Sequence, residues 1–250
     1  MKLFQRIFFA AVLSGLAAGL AMSAVQQWRV VPLILEAETY ENAAPAADHV
    51  HEVTPAQSQA AAPAADQHHD EDAWAPQDGA ERTFYTVLAN TLGGIGFAFL
   101  LAAVSVLSGI AITARNGVIW GIGGFAALQL APALGLPPEL PGMAAADIVA
   151  RQVWWIGTAV ATGAGLLAVA KLRNLTGIGI AVVLILAPHL VGAPPAPPEV
   201  TAVPAHLATS FAAASLAAGA VFWLIAGPLL GWLNERLARM PAFALEGAHA

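Results

Sequence analysis

Cysteine is absent from this sequence of 250 residues, and charged residues make up only 10% of it. Without a thiol, the chain forms no disulfide and offers no thiolate ligand to a metal ion. Soluble domains contain about a quarter charged residues, so the low charge argues against an ordinary soluble domain. The formal net charge of −6 argues against a nucleic-acid-binding protein.

The sequence also lacks the short motifs that carry catalysis. It has no phosphate-binding loop, no HExxH zinc motif and no nucleophile motif. None of its long apolar stretches has Asp, Glu, Lys or Arg near its centre, which argues against a proton pump built on buried carboxylates. We therefore expect that the chain is not an enzyme and that it holds no tightly bound cofactor.

Apolar residues are abundant instead, at 58% of the sequence. A helix that crosses a membrane needs about 20 consecutive apolar residues. The sequence predicts an all-α fold, a polytopic transmembrane helix bundle of about six spans. Those spans lie near residues 7–26, 84–112, 116–134, 152–170, 175–191 and 207–233. The fifth is short and has Pro188 at its end. Dividing the third to fifth stretches differently gives five spans, which is the alternative.

Charge is distributed unevenly between the two ends of the predicted spans. With six spans, 14 of the 16 acidic residues lie on one side and seven of the ten basic residues on the other. These seven are Lys2, Arg6, Arg115, Lys171, Arg173, Arg236 and Arg239. Because basic loops remain in the cytoplasm, we expect both termini to be cytoplasmic. Five spans would place the end with Arg236 and Arg239 outside, which this rule disfavours.

The predicted organisation has four parts. Residues 1–41 form the first transmembrane helix and its acidic exit, and residues 42–83 form a His- and acid-rich extracytoplasmic loop. This loop has too few bulky apolar residues to fold, so we expect it to be disordered. Residues 84–240 form the rest of the bundle, about five helices, and residues 241–250 form a short cytoplasmic tail. The first helix could instead be a signal peptide, but its apolar run is long for one.

Imidazole and carboxylate groups are interleaved in the loop. The histidines are His49, His51, His68 and His69, and acidic residues flank them. Imidazole is the commonest transition-metal ligand near neutral pH, and carboxylates bind harder divalent ions. The loop is therefore a candidate for capturing a divalent cation, and a solvated acidic loop with incidental histidines is the equal alternative.

Three carboxylates follow the first predicted span, at Glu36, Glu38 and Glu41. If this segment is helical, they lie on adjacent faces at the mouth of the bundle. Such carboxylates could hold a cation through oxygen ligands. The alternative is a charged cap that keeps the end of the helix in water.

His189 directly follows Pro188 at the end of the fifth span, and His206 begins the sixth. Proline removes a helical hydrogen bond and frees backbone carbonyl groups, and ionisable residues at membrane depth are functional candidates. The alternative for His189 is an interfacial side chain that binds nothing. Uncharged polar residues near the same ends of the spans could line a vestibule with both histidines, or could form hydrogen bonds between helices. They are Gln26, Gln27, Asn90, Gln129 and Gln152.

Four separated segments resemble the CbtA family, the probable cobalt transporter subunit. They are VPLILEAETYE from Val31, GLPPELPG from Gly135 with RQVWW from Arg151, APHLVGAP from Ala187, and Phe222-Trp223 with Gly227. The resemblance covers nearly the whole chain except residues 42–78. It implies a bacterial inner-membrane protein that imports cobalt(II) for cobalamin synthesis. It also implies a partner, a small single-span CbtB-like membrane subunit.

The resemblance implies that Glu36, Glu38, Glu41 and His189 contact the metal ion. At His206 the family typically has glutamate, so a ligand there would change from carboxylate to imidazole. Because this change affects metal preference, nickel or zinc remain possible as transported ions. We expect a membrane subunit of a cobalt(II) uptake system, in contact with divalent metal and membrane lipid. The alternative is a non-transporting metal-binding or scaffold protein for the small partner.

Overall fold

A computed structural model describes residues 2–43, 76–198 and 201–240, and every regular element in these ranges is helical. Eight α-helical segments in these ranges form six continuous rods, because two boundaries between segments are π-helical turns rather than breaks. The segments are α1 (Lys2–Val25), α2 (Val31–Ala43), α3 (Ala80–Ser108), α4 (Gly117–Phe125), α5 (Ala131–Ala133), α6 (Ile148–Leu172), α7 (Leu175–Val191) and α8 (Ala205–Ala238).

Proline accounts for both π-helical turns. The turn Gln26–Val30 joins α1 to α2, and the turn Ala126–Leu130 joins α4 to α5. Pro32 and Pro132 each stand second in the segment that follows. Since proline has no N–H and its ring collides with the carbonyl one turn earlier, the helix widens locally to continue past it. The first rod and the rod of α4 and α5 therefore each have one irregular turn, and both turns lie near the same end of the bundle.

The prediction of an all-α membrane bundle of about six spans is confirmed. Four rods are long and apolar enough to cross a membrane, and Gly117–Ala133 and Leu175–Val191 are shorter apolar helices. The fourth and fifth predicted spans are separate helices. Arg173 ends α6 in the left-handed conformation, with φ 51°, and the Asn174 side chain accepts a hydrogen bond from Gly177 N at 2.9 Å to cap α7.

One boundary differs from the sequence prediction. The first rod does not end near residue 26 but continues through its π-helical turn to Ala43, so the acidic exit is helical. The fifth helix has its predicted range, because α7 continues past Pro188 to Val191, where Gly192 N donates to Pro188 O at 3.0 Å. A proline in the last turn displaces few backbone hydrogen bonds, which explains why the helix tolerates it.

Glycines set the closest helix contacts in the core. α1 packs on α3 and α8, α4 packs on α8, and α6 packs on α7. A methyl group added at Gly15 would lie 2.5 Å from Ile95 Cα, and one added at Gly117 would lie 2.6 Å from Gly227 O. Glycines four residues apart in α1 and α4 therefore let these helices approach their neighbours closely, backbone to backbone.

Loop contacts identify two ends of the bundle. At one end the last turns of α8 contact the connection between α3 and α4: Asn234 Nδ2 donates to Ile112 O at 3.3 Å, and Ala114 N donates to Glu235 Oε1 at 3.0 Å. We call this the basic end, since it holds the N-terminus of α1 and the arginines at the C-terminal end of α8, Arg236 and Arg239. The opposite end, with α2 and the start of α3, is the acidic end.

Candidate functional site

A cleft of about 810 Å³ opens near the acidic end of the bundle. Four parts of the chain surround it: the first rod, the π-helical turn with α5, the start of α6, and α8. Its walls combine apolar side chains with a few polar ones. They include Met22, Gln26, Leu128, Gln129, Pro132, Arg151, Gln152, Trp155, Ile156, Ser215 and Leu216.

Three glutamines from three different rods line this cleft. Gln26 and Gln129 lie in the two π-helical turns, and Gln152 lies in the second turn of α6. Asn90 fixes the orientation of Gln26, because Asn90 Nδ2 donates to Gln26 Oε1 at 2.7 Å and to Ser23 Oγ at 3.1 Å. Three of the five polar residues considered for a vestibule therefore line one cleft, whereas Asn90 forms the alternative, hydrogen bonds between helices.

The side-chain amide of Gln129 fills the space left by the missing side chain of Gly219. A methyl group added at Gly219 would lie 2.6 Å from Gln129 Cδ, so the amide lies directly against the backbone of α8. Gln129 Oε1 is buried and has no hydrogen-bond partner among the described residues. A buried amide oxygen without a partner is costly, so a rotation of this side chain toward the cleft, which would let it accept a hydrogen bond there, is favoured.

An ion pair lies at the edge of the cleft. Arg151 Nη2 contacts Glu139 Oε2 at 2.7 Å, and both side chains are partly buried. The glutamate offsets the positive charge of the arginine that lines the wall. The cleft therefore presents amide groups and a neutralised arginine rather than a net positive wall.

The three glutamates of the predicted acidic cluster differ in their burial and in their hydrogen-bond partners. Glu36 is exposed, whereas Glu38 is partly buried and accepts hydrogen bonds on both carboxylate oxygens from Arg82. Asp78 also accepts from Arg82 Nη1, at 2.9 Å. Glu41 lies in the last turns of α2, and its side chain lies outside the described residues. Glu38 would have to release Arg82 before it could bind a metal ion.

His189 and His206 are at the acidic end but do not line the cleft. The His189 ring packs edge-on against Trp154, with ring centroids 5.8 Å apart, and Trp154 Nε1 donates to Pro188 O at 3.2 Å. His189 Nε2 is buried and has no partner among the described residues. His206 is exposed in the first turn of α8. The histidines and glutamines predicted to share one vestibule therefore lie in separate places.

The predicted loop ligands His49, His51, His68 and His69 lie outside the described residues. In ranges 2–43, 76–198 and 201–240, no group of three or more His, Asp or Glu side chains is arranged to hold a metal ion. A coordination sphere made only of His, Asp and Glu side chains would therefore need donors beyond these ranges. Within these ranges, the cleft can act on a hydrated ion through hydrogen bonds to its water ligands.

Comparison with protein families gives one finding over most of the chain. The family model described as probable cobalt transporter subunit (CbtA) matches residues 4–235, from the first turn of α1 to near the end of α8. Comparisons with curated proteins and with solved structures give no significant match.

Proposed function

Since the chain belongs to the CbtA family of probable cobalt transporter subunits, we propose that it is a membrane subunit of a cobalt(II) uptake system that supplies cobalamin synthesis. The family match over residues 4–235 carries this proposal, because it includes nearly every described helix. The excess of basic residues at one end supports an inner-membrane location with both termini in the cytoplasm. In this orientation the cleft, at the acidic end, faces the extracytoplasmic side of the membrane.

In this proposal the cleft receives the ion with its water shell. A cation cannot enter an apolar bundle unless other oxygen atoms replace its water ligands. Water bound to a divalent ion is a strong hydrogen-bond donor, and the unpaired Gln129 Oε1 is an acceptor in the wall. The pairing of Arg151 with Glu139 limits the repulsion that a free arginine would exert on the ion.

Direct ligands would come from the predicted acid and histidine positions. The loop residues His49, His51, His68 and His69 capture cobalt(II), and Glu36, Glu38, Glu41, His189 and His206 contact it at the acidic end. Because no three of these groups meet in the described ranges, the loop or a small single-span CbtB-like partner completes the coordination.

Uptake of radioactive cobalt into cells without other cobalt importers tests the proposal. The chain is expressed alone and with its candidate partner, and its membrane level is checked. We expect uptake above background with the partner, and less uptake in the double variant Glu36→Gln, Glu38→Gln. Asp78→Asn is the matched control, since the exposed Asp78 also contacts Arg82 but leaves the Glu38 pair in place.

A second candidate function is a non-transporting metal-binding or scaffold subunit. The core between α1, α3 and α8 favours it, because this core consists of buried Ala, Leu, Ile, Phe and Trp side chains. Ser14 and Ser23 are also buried on α1, but each donates to a backbone carbonyl of the same helix, so this region offers few oxygen ligands to an ion in transit. No uptake with or without the partner, despite verified insertion, would support this second function over the first.

His189→Ala is expected to lower cobalt uptake roughly fivefold, as when one of several ligands contributes about 1 kcal/mol. His189→Phe keeps a ring against Trp154 but removes both ring nitrogens, so it should lose as much. Leu190→Ala is the control, since Leu190 is 85% exposed. If His189→Phe restored uptake, the histidine would act by packing rather than as a ligand.

A further inference from the structure

A second cavity, of about 220 Å³, lies at the basic end of the bundle, opposite the cleft. The start of α1, the end of α3 and the end of α8 form its walls. Its lining includes Leu3, Arg6, Ile7, Val106, Leu230 and Asn234. None of these residues lines the cleft, so the cavity is a separate feature of the bundle.

Two unpaired polar atoms belong to residues that line this cavity. Arg6 Nε and Asn234 Oδ1 are both buried and have no hydrogen-bond partner among the described residues. Asn234 Nδ2 donates to Ile112 O at 3.3 Å, which fixes the orientation of the amide. One atom is a donor on a permanently charged group and the other is an acceptor, and burial of both without partners is costly. A ligand that satisfies both must carry a hydrogen-bond acceptor and a donor, and an anionic oxygen is the strongest acceptor for the charged guanidinium.

A single ordered water does not account for this cavity. One water molecule needs only roughly 15 Å³ of such space, and the cavity offers about 220 Å³. Part of its wall also faces outward among apolar side chains. Leu3 is 44% exposed and Val106 is 57% exposed, and both are on the sides of apolar rods. An acyl chain could lie along these side chains while the polar part of the same molecule enters the cavity.

We propose that this cavity binds the headgroup of an anionic phospholipid that carries a free hydroxyl group, as phosphatidylglycerol does. The phosphate accepts a hydrogen bond from Arg6 Nε, and a headgroup hydroxyl donates to Asn234 Oδ1. The acyl chains lie against Leu3 and Val106. The concentration of arginine and lysine at this end of the bundle attracts an anionic headgroup as well.

Native mass spectrometry of the purified full chain in mild detergent tests this proposal. The lipids are phosphatidylglycerol, phosphatidylethanol, a phosphodiester of the same charge that lacks the headgroup hydroxyl, and zwitterionic phosphatidylcholine. We expect binding in that order of strength. Arg6→Gln should weaken phosphatidylglycerol binding about tenfold, the usual result of losing one charge-assisted hydrogen bond. Arg115→Gln is the matched control, an exposed arginine at the same end that does not line the cavity.

The selectivity between lipids gives a second readout. Asn234→Leu should remove the preference for phosphatidylglycerol over phosphatidylethanol while keeping the preference for both over phosphatidylcholine. Equal binding of phosphatidylcholine and phosphatidylglycerol by the unaltered chain would overturn the proposal without any variant. Competition by free glycerol 3-phosphate as strong as that by the lipid would also overturn it, because the ligand would then be a soluble phosphate ester.

Discussion

Gly227→Ala is expected to destabilise the bundle by about 3 kcal/mol, the upper range for overpacking a closely packed contact. The added methyl group would lie 2.6 Å from Gly121 N and 2.8 Å from Gly121 Cα. Both atoms belong to the backbone of α4, so no side chain can rotate away and the two helices must separate. Thermal unfolding in mild detergent should show a midpoint lower by roughly 10 °C for a chain of this size.

Gly96→Ala is the matched control for this prediction. Gly96 lies within the apolar part of α3, and a methyl group added there meets no atom within 4 Å. Alanine has a higher helix propensity than glycine, so this variant should be as stable as the original or slightly more stable. Equal losses in both variants would contradict the close approach of α4 and α8.

The number and placement of the helices could be predicted from hydrophobic length. A run such as residues 175–191 has no other way to shield its backbone in lipid than to form a helix. Glycines four residues apart, as at Gly15 and Gly19 and at Gly117 and Gly121, are typical of closely packed helix faces. Which helix each face contacts could not be predicted, because contacts with Gly94 and with Gly227 depend on the arrangement of all the rods.

The irregular turns show where sequence reasoning failed and what signal was present. The predicted spans 116–134 and 175–191 include Pro132 and Pro188, but no π-helical turn was predicted beside Pro32 or Pro132. A proline followed by further apolar residues was the available signal for a π-helical turn at Pro32 and Pro132. Nothing in the sequence indicated that Glu38 pairs with Arg82, because 44 residues separate them and only tertiary packing brings their side chains together.

The candidate site could be predicted in part. Its glutamines were identified because amides are uncommon at the ends of apolar spans, and three of them do line one cleft. His189 was expected beside them, but α7 packs on α6 and the ring faces Trp154 instead. Hydropathy assigns residues to an end of the bundle, whereas their position around the bundle depends on helix rotation, which the sequence pattern leaves open.

Gln129→Leu is expected to lower cobalt uptake about tenfold, because it replaces the unpaired acceptor in the cleft with an apolar group of similar size. The fold should remain intact, since Gln129 Oε1 has no partner to lose among the described residues. Gln27→Leu is the control: Gln27 is next to Gln26 in the first π-helical turn but does not line the cleft. Initial uptake rates, corrected for the amount of protein in the membrane, provide the measurement.

Gly219→Ala tests the same amide by moving it rather than removing it. The added methyl group would collide with the end of the flexible Gln129 side chain, which can rotate away at little cost in stability. Uptake should therefore fall as it does in Gln129→Leu, while the unfolding midpoint changes little. Gly157→Ala, which meets no atom within 4 Å, should change neither quantity. If Gly219→Ala kept full uptake while Gln129→Leu lost it, the ion would need the amide but not its place against α8. If both kept full uptake, the cleft would not be on the path of the ion, and the acidic and histidine positions would have to act without it.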